Sequence, residues 1–105
     1  MHTPTHLLRV MLLAAAATGC SGPPDAAAPT PPQALACFGC HGPAGRSQGD
    51  IPALAGMPSD RFLARMAAFS EDTETGGVMN RIAPAYSERE LARLADYFAD
   101  LEPAP

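Results

Sequence analysis

A chain of 105 residues with seven basic and eleven acidic side chains carries a formal charge of −4, the wrong sign for a nucleic-acid binder. All seven bases are arginine, which reads as a composition bias, and the acidic surface suits plain solubility first and a basic docking patch on a partner second. Three cysteines are an odd number for a disulfide framework, and twelve prolines in so short a chain point to a substantial non-globular stretch.

The chain opens with a polar, weakly basic segment ending at Arg9. Val10 to Thr18 then forms an apolar run followed by Gly19 and Cys20. The run is too short to span a bilayer and fits the core of an export signal, so residues 1–19 are expected to be a leader. Ala17-Thr18-Gly19-Cys20 resembles the bacterial lipobox, in which the cysteine is lipidated and becomes the new N-terminus. The alternative is an ordinary signal peptide that leaves Cys20 as a stray thiol, but lipidation also accounts for the odd cysteine. Both readings place the mature chain outside the cytoplasm, in the periplasm. Loss of Arg9 with the leader makes it one charge more acidic. Residues 20–32, rich in Pro and Ala, then read as an extended tether on a membrane anchor, with a reach of ~30 Å at the polyproline rise. One small domain is expected over 33–102.

The domain begins with a predicted helix over about 31–40, with Thr30 and Gln33 at capping-box spacing. This helix runs into Cys37-Phe38-Gly39-Cys40-His41, a C-x-x-C-H sequence that is the attachment signature for c-type haem. Two thiols one helical turn apart can each form a thioether with one vinyl group of the same porphyrin. The histidine that follows then lies under the ring, where an imidazole nitrogen reaches the iron. A structural zinc site would need a second ligand pair, which the mature chain lacks, and a thioredoxin-like pair would need a βαβ setting. Cys37, Cys40 and His41 are therefore the expected holders of a single haem c. A haem-free chain of this size would lack a sufficient core and should be largely unfolded.

From His41 to Met57 the density of Gly and Pro predicts a loop. Ser59 is a candidate N-cap for a helix over about 60–69, whose apolar face is Phe62, Leu63, Met66 and Phe69. An acidic loop, Ser70 to Gly77, ends in the pair Gly76-Gly77. Ser87 and Glu90 form a second capping box, and Leu91, Leu94, Ala95, Phe98 and Leu101 recur at helical spacing over 88–101. No alternating run suggests a strand, so the class is all-α. Phe38, Ile51, Leu54, Leu63, Val78, Ile82, Leu94 and Phe98 are the expected core and haem-pocket residues. Arg46, Arg61, Arg65 and Arg81 are candidate propionate partners, although solvated surface is the stronger reading for each of them. Tyr86 is placed near the haem or in packing, and Tyr97 in packing.

The second axial position has few candidates. His2 and His6 depart with the leader, which leaves His41 as the one histidine and Met57, Met66 and Met79 as the methionines within reach. Met66 belongs to an apolar helix face, where methionine is usually filler. Met57 follows closely on the loop after His41. Met79 stands after Gly76-Gly77, on a loop read as free to close over the iron, and is the expected ligand.

In order, these features resemble a class I cytochrome c, a small all-α fold of about three to four helices around one covalent haem. The resemblance covers about 34–101. It implies that Pro52, in Ile51-Pro52-Ala53-Leu54, offers its carbonyl to the N–H of His41 and so orients the ring. Ile51 to Gly56, Val78 to Ala83 and Leu91 to Phe98 are similar to the cytochrome subunit of flavocytochrome c sulfide dehydrogenases and its single-domain relatives. The lipobox and tether depart from that subunit. The expected function is a membrane-tethered periplasmic electron carrier and not an enzyme. The rivals are an electron-accepting subunit of a sulfide-oxidising flavoprotein dehydrogenase and a haem-based ligand sensor.

Overall fold

A computed structural model describes residues 29–105 together with Gly19. The leader, Cys20 and most of the tether lie outside the described residues. Four helices follow in order: α1 (Pro32–His41), α2 (Ser59–Ser70), α3 (Met79–Ile82) and α4 (Glu88–Ala99). Single tight turns at Pro43–Gly45 and Ala83–Ala85 follow α1 and α3. No strand occurs among the described residues. None of these helices is long and apolar enough to cross a membrane.

Proline starts α1, since its fixed φ suits the first helical turn and its missing N–H is not needed there. The expected Thr30 cap does not form. Pro31 is the extended residue at the helix start, and the Thr30 hydroxyl instead lies 3.2 Å from the hydroxyl of Tyr97 on α4. Helix α1 stops where Gly42 adopts φ +84, a backbone state that a β-carbon would penalise. Ser59 departs from expectation in the same way. It is the first residue of α2, after an extended Pro58, and its hydroxyl donates to Asp96 Oδ1 of α4 at 3.2 Å. The Ser87–Glu90 capping box does form at the start of α4, with each side chain bonded to the other's backbone N–H.

Helix α2 packs along α4. Phe62, Met66 and Phe69 turn inward from α2, and Leu94, Ala95 and Phe98 from α4. Leu63, expected on the core face, is exposed because it sits one residue round the helix from that stripe. Phe98 is the centre of the core, fully buried, with the ring of Phe62 stacked at 5.8 Å and those of Phe38 and Tyr97 edge-on at 6.4 and 5.2 Å. That one ring therefore ties α1, α2 and α4 together, and aromatic pairs of this kind add about 0.5–1.5 kcal/mol each beyond burial. The end of the chain folds back on the core. The Arg46 guanidinium donates to the Glu102 carbonyl at 3.0 Å, and the Gly56 N–H donates to the Phe98 carbonyl at 2.8 Å.

Candidate haem site

The end of α1, the loop through Pro52 and Met57, α2 and α3 enclose a cleft of about 760 Å³, within the ~300–1,000 Å³ of typical small-molecule and cofactor sites. Cys37, Cys40, His41, Pro52 and Met79 all line it. Cys37 and Cys40 sit one turn apart near the end of α1, Cys37 half-buried and Cys40 exposed, and neither is in a disulfide. The Cys37 thiol is held above its ordinary pKa by burial, partly offset by a backbone hydrogen bond.

His41 is buried at the last position of α1. Its Nδ1 lies 2.6 Å from the Pro52 carbonyl oxygen. A carbonyl only accepts, so Nδ1 carries the proton and the lone pair is on Nε2, the nitrogen available to a metal. The bond also fixes the ring orientation. The loop that presents Pro52 is itself anchored, because the Gly45 carbonyl accepts the N–H groups of Leu54 and Ala55 at 2.8 and 3.1 Å.

Met79 opens α3, half-buried against the core and facing the cleft. Met57 and Met66 line the same cleft. Met66 is also part of the buried core, in keeping with its place on the inward stripe of α2. Ile51, Val78 and Ile82, expected in the core or pocket, are exposed side chains on the cleft wall. Leu54, Leu94 and Phe98 are buried as expected. Tyr86 lines the cleft as well. Burial first, with the negative charge of Glu90 adding to it, pushes the pKa of its hydroxyl up. Of the four arginines singled out, Arg61 and Arg65 reach the cleft and Arg46 and Arg81 do not line it.

The donor set fits a haem. Two thiols at vinyl spacing, an imidazole with its far nitrogen free and a thioether share one largely apolar cleft, and iron takes sulfur and imidazole ligands of this kind. Among the described residues no cluster of three or more His, Cys, Asp or Glu is arranged to hold a bare metal ion. What the sequence did not single out is Asn80, the residue after Met79, whose side chain makes three contacts with the preceding loop and one with the last turn of α2.

Known proteins agree with this chemistry. The family model described as Cytochrome c matches residues 33–102. The chain is 34% identical over 67 residues to the cytochrome subunit of sulfide dehydrogenase from Chlorobaculum tepidum, an alignment covering 64% of this chain and 61% of that protein. It is 37% identical over 89 residues to cytochrome c-554(547) from Halothiobacillus neapolitanus, covering 74% of this chain and 98% of that protein. A third relative is the thiosulfate dehydrogenase electron acceptor of Stutzerimonas stutzeri, 36% identical over 69 residues, with 62% of this chain matching 32% of its length. The chain thus spans about three fifths of the sulfide dehydrogenase subunit and a third of the thiosulfate dehydrogenase acceptor. Fold, cleft and family match converge: the chain belongs to the cytochrome c family, as a small all-α electron carrier with covalently bound haem c.

Proposed function

We propose that Cys37 and Cys40 hold the haem by thioethers, that His41 and Met79 are its axial ligands, and that Pro52 orients His41. The observation that carries this reading is the single cleft lined by all five residues, with the Pro52 carbonyl on Nδ1 of His41 leaving Nε2 free. Bound haem supplies an iron that takes up and releases one electron, and thioether ligation favours its ferrous state. With His41 and Met79 both engaged, no position remains for a substrate, which suits outer-sphere electron transfer. The exposed Cys40 places its thioether, and with it one edge of the site, at the surface.

The carrier is proposed to work in the periplasm, fixed to a membrane by lipidated Cys20, with residues 21–32 as the tether and 33–102 as the electron-carrying domain. Confinement by such a tether raises the effective concentration of a membrane-bound partner. The support is the apolar run before Cys20 and the proline-rich composition after it. A second reading, an electron-accepting subunit of a dehydrogenase, is favoured by the likeness to the sulfide dehydrogenase subunit and the thiosulfate dehydrogenase acceptor. A flavoprotein that copurifies with the chain supports that second reading, and isolation as a monomer supports the free carrier.

The test is the absorption spectrum of protein co-expressed with cytochrome c maturation factors. Low-spin spectra are expected, with the weak far-red band of methionine on ferric haem. That band should vanish in Met79→Ala. Retention of the band in Met79→Ala would remove Met79 from the site, and rapid binding of CO by the reduced wild type would favour a ligand sensor. For the anchor, Cys20→Ser should abolish fatty-acid labelling and release the protein from membranes.

A further inference from the structure

We propose that Asn80 is a positioning residue for Met79, holding the methionine loop in its closed form through one side-chain amide. The proposal rests on Met79 being the axial ligand. Eight residues, from Glu71 to Val78, separate α2 from α3, and they include Gly76 and Gly77, the second at φ +60 with no atom near its α-carbon substituent position. A loop of that composition has many open conformations, and a neutral thioether binds iron weakly enough that those conformations compete with it.

The Asn80 amide draws the loop together. Its Oδ1 accepts the Gly76 N–H at 2.7 Å. Its two N–H groups are shared among the Phe69 carbonyl at 3.1 Å, Asp72 Oδ1 at 3.0 Å and the Glu74 carbonyl at 2.8 Å. The last turn of α2 and three points of the loop are thus bonded to the residue next to Met79. The orientation of the amide is forced, because the flipped form would set an oxygen against three acceptors and an NH₂ against an N–H. Two further contacts close the same loop. Arg65 pairs with Glu74 at 2.6 Å, and Gly76 lies so close to the Phe69 ring that a β-carbon there would overlap it. Gly76 is therefore a close-approach position, and the freedom the glycine pair would otherwise confer is limited by the Asn80 bonds.

The test uses the full chain with haem attached, as wild type, Asn80→Ala, Asn80→Asp and Met79→Ala. The ferric proteins are titrated with imidazole at a temperature where each is fully folded, with the far-red band and the thermal melt recorded alongside. Imidazole competes with the methionine, so its apparent affinity reports how often the loop is open. Loss of several hydrogen bonds should raise that affinity on the order of tenfold or more in Asn80→Ala. Asn80→Asp keeps the size of the side chain and the Gly76 bond but sets an anion against three acceptors, and should shift affinity in the same direction. Wild-type imidazole affinity in both folded variants, even with lowered melting temperatures, would show a merely structural residue and overturn the proposal. In the wild type itself the Gly76 N–H must be protected from hydrogen exchange, and exchange at the solvent rate would also overturn it, whether or not either variant folds. If Met79→Ala keeps the far-red band, the ligand assignment fails. If that band is lost while the Asn80 variants match wild type, only the positioning role fails.

Discussion

Gly45→Ala tests how the core holds the loop that presents the Pro52 carbonyl to His41. Gly45 has φ +70, and a β-carbon there would stand 2.8 Å from Cε1 of Phe98 and 3.1 Å from Cδ1 of Phe98 and from Cβ of Leu54, where ordinary contacts are 3.4–4 Å. Phe98 cannot swing aside, because it is fully buried and stacked on Phe62. The left-handed backbone costs an L-residue about 1–2 kcal/mol, and overpacking a filled core costs about 1–3 kcal/mol more. The variant should therefore lose about 2–5 kcal/mol of the roughly 4–10 kcal/mol that a domain spanning 33–102 commands at ordinary stability per residue. Phe98→Leu trims the ring that meets the new methyl and should itself cost about 1–2 kcal/mol. If the clash is the cause, the double variant will be more stable than the sum of the two losses predicts, by about 1–2 kcal/mol. The backbone cost remains in the double variant. Guanidinium unfolding of the haem-loaded proteins, followed by haem absorbance and far-UV dichroism, measures all four states on one scale. Additivity within about 0.5 kcal/mol would refute the steric argument and leave backbone strain as the whole effect.

Ser87→Ala removes the N-cap of α4 and should cost about 0.5–2 kcal/mol, a fall in melting temperature of about 4–8 °C per kcal/mol for a domain of this size; an unchanged melt would show the cap to be idle. Glu90 accepts the backbone N–H of Ser87 and then its hydroxyl, which together hold its carboxyl below the usual range. Because the folded pKa is the lower one, this stabilisation is complete above the ordinary carboxylate range and is lost as pH falls through the folded value. Glu90→Gln should therefore flatten the acid limb of stability against pH in urea titrations, and equal slopes in the two proteins would contradict the assignment. Cys37→Ala with Cys40→Ala should give a colourless chain with little helical dichroism, whereas a native helical signal would show that the polypeptide folds without its cofactor.

Local chemistry made some of this structure legible and long-range chemistry hid the rest. The C-x-x-C-H run ends a helix as its spacing implies, and α4 is legible because capping box and apolar period agree over the same residues. Helix α3 is not legible, since four residues carry no period and its start has no side-chain cap. Thr30 and Ser59 were misread for a common reason. A hydroxyl beside a helix start reads as a cap in one dimension, but Tyr97 and Asp96, far along the chain, took both hydroxyls. Leu63 and Phe62 are adjacent, so a short helix cannot declare from sequence which of them lies on the stripe. Gly76-Gly77 suggested freedom because glycine leaves the backbone free; the restraint comes from Asn80, whose amide can satisfy several loop groups at once.

The core and the site are built from the same residues, and this constrains what the domain can vary. Its fully buried large side chains are Phe98 and Leu94, with Ala34, Ala83 and Ala95 making up much of the remaining deep interior. Larger aliphatics, Ile51, Val78 and Ile82, are turned to the cleft wall. A domain this small has too little interior for its stability to rest on a separate core. The apolar surface of a covalently bound haem in the cleft would therefore be structural as well as chemical. A change at Leu54, Met66 or Leu94 touches both the packing and the cleft, since each is buried and lines it. The loop from Glu71 to Val78 is different. Apart from the approach of Gly76 to the Phe69 ring, the contacts described for it run through polar groups, through Asn80 and the Arg65–Glu74 pair, so it can be loosened or tightened with Phe98 and Leu94 left in place. With Met79 as the proposed ligand, that loop is where this fold could adjust its grip on the iron without dismantling the core.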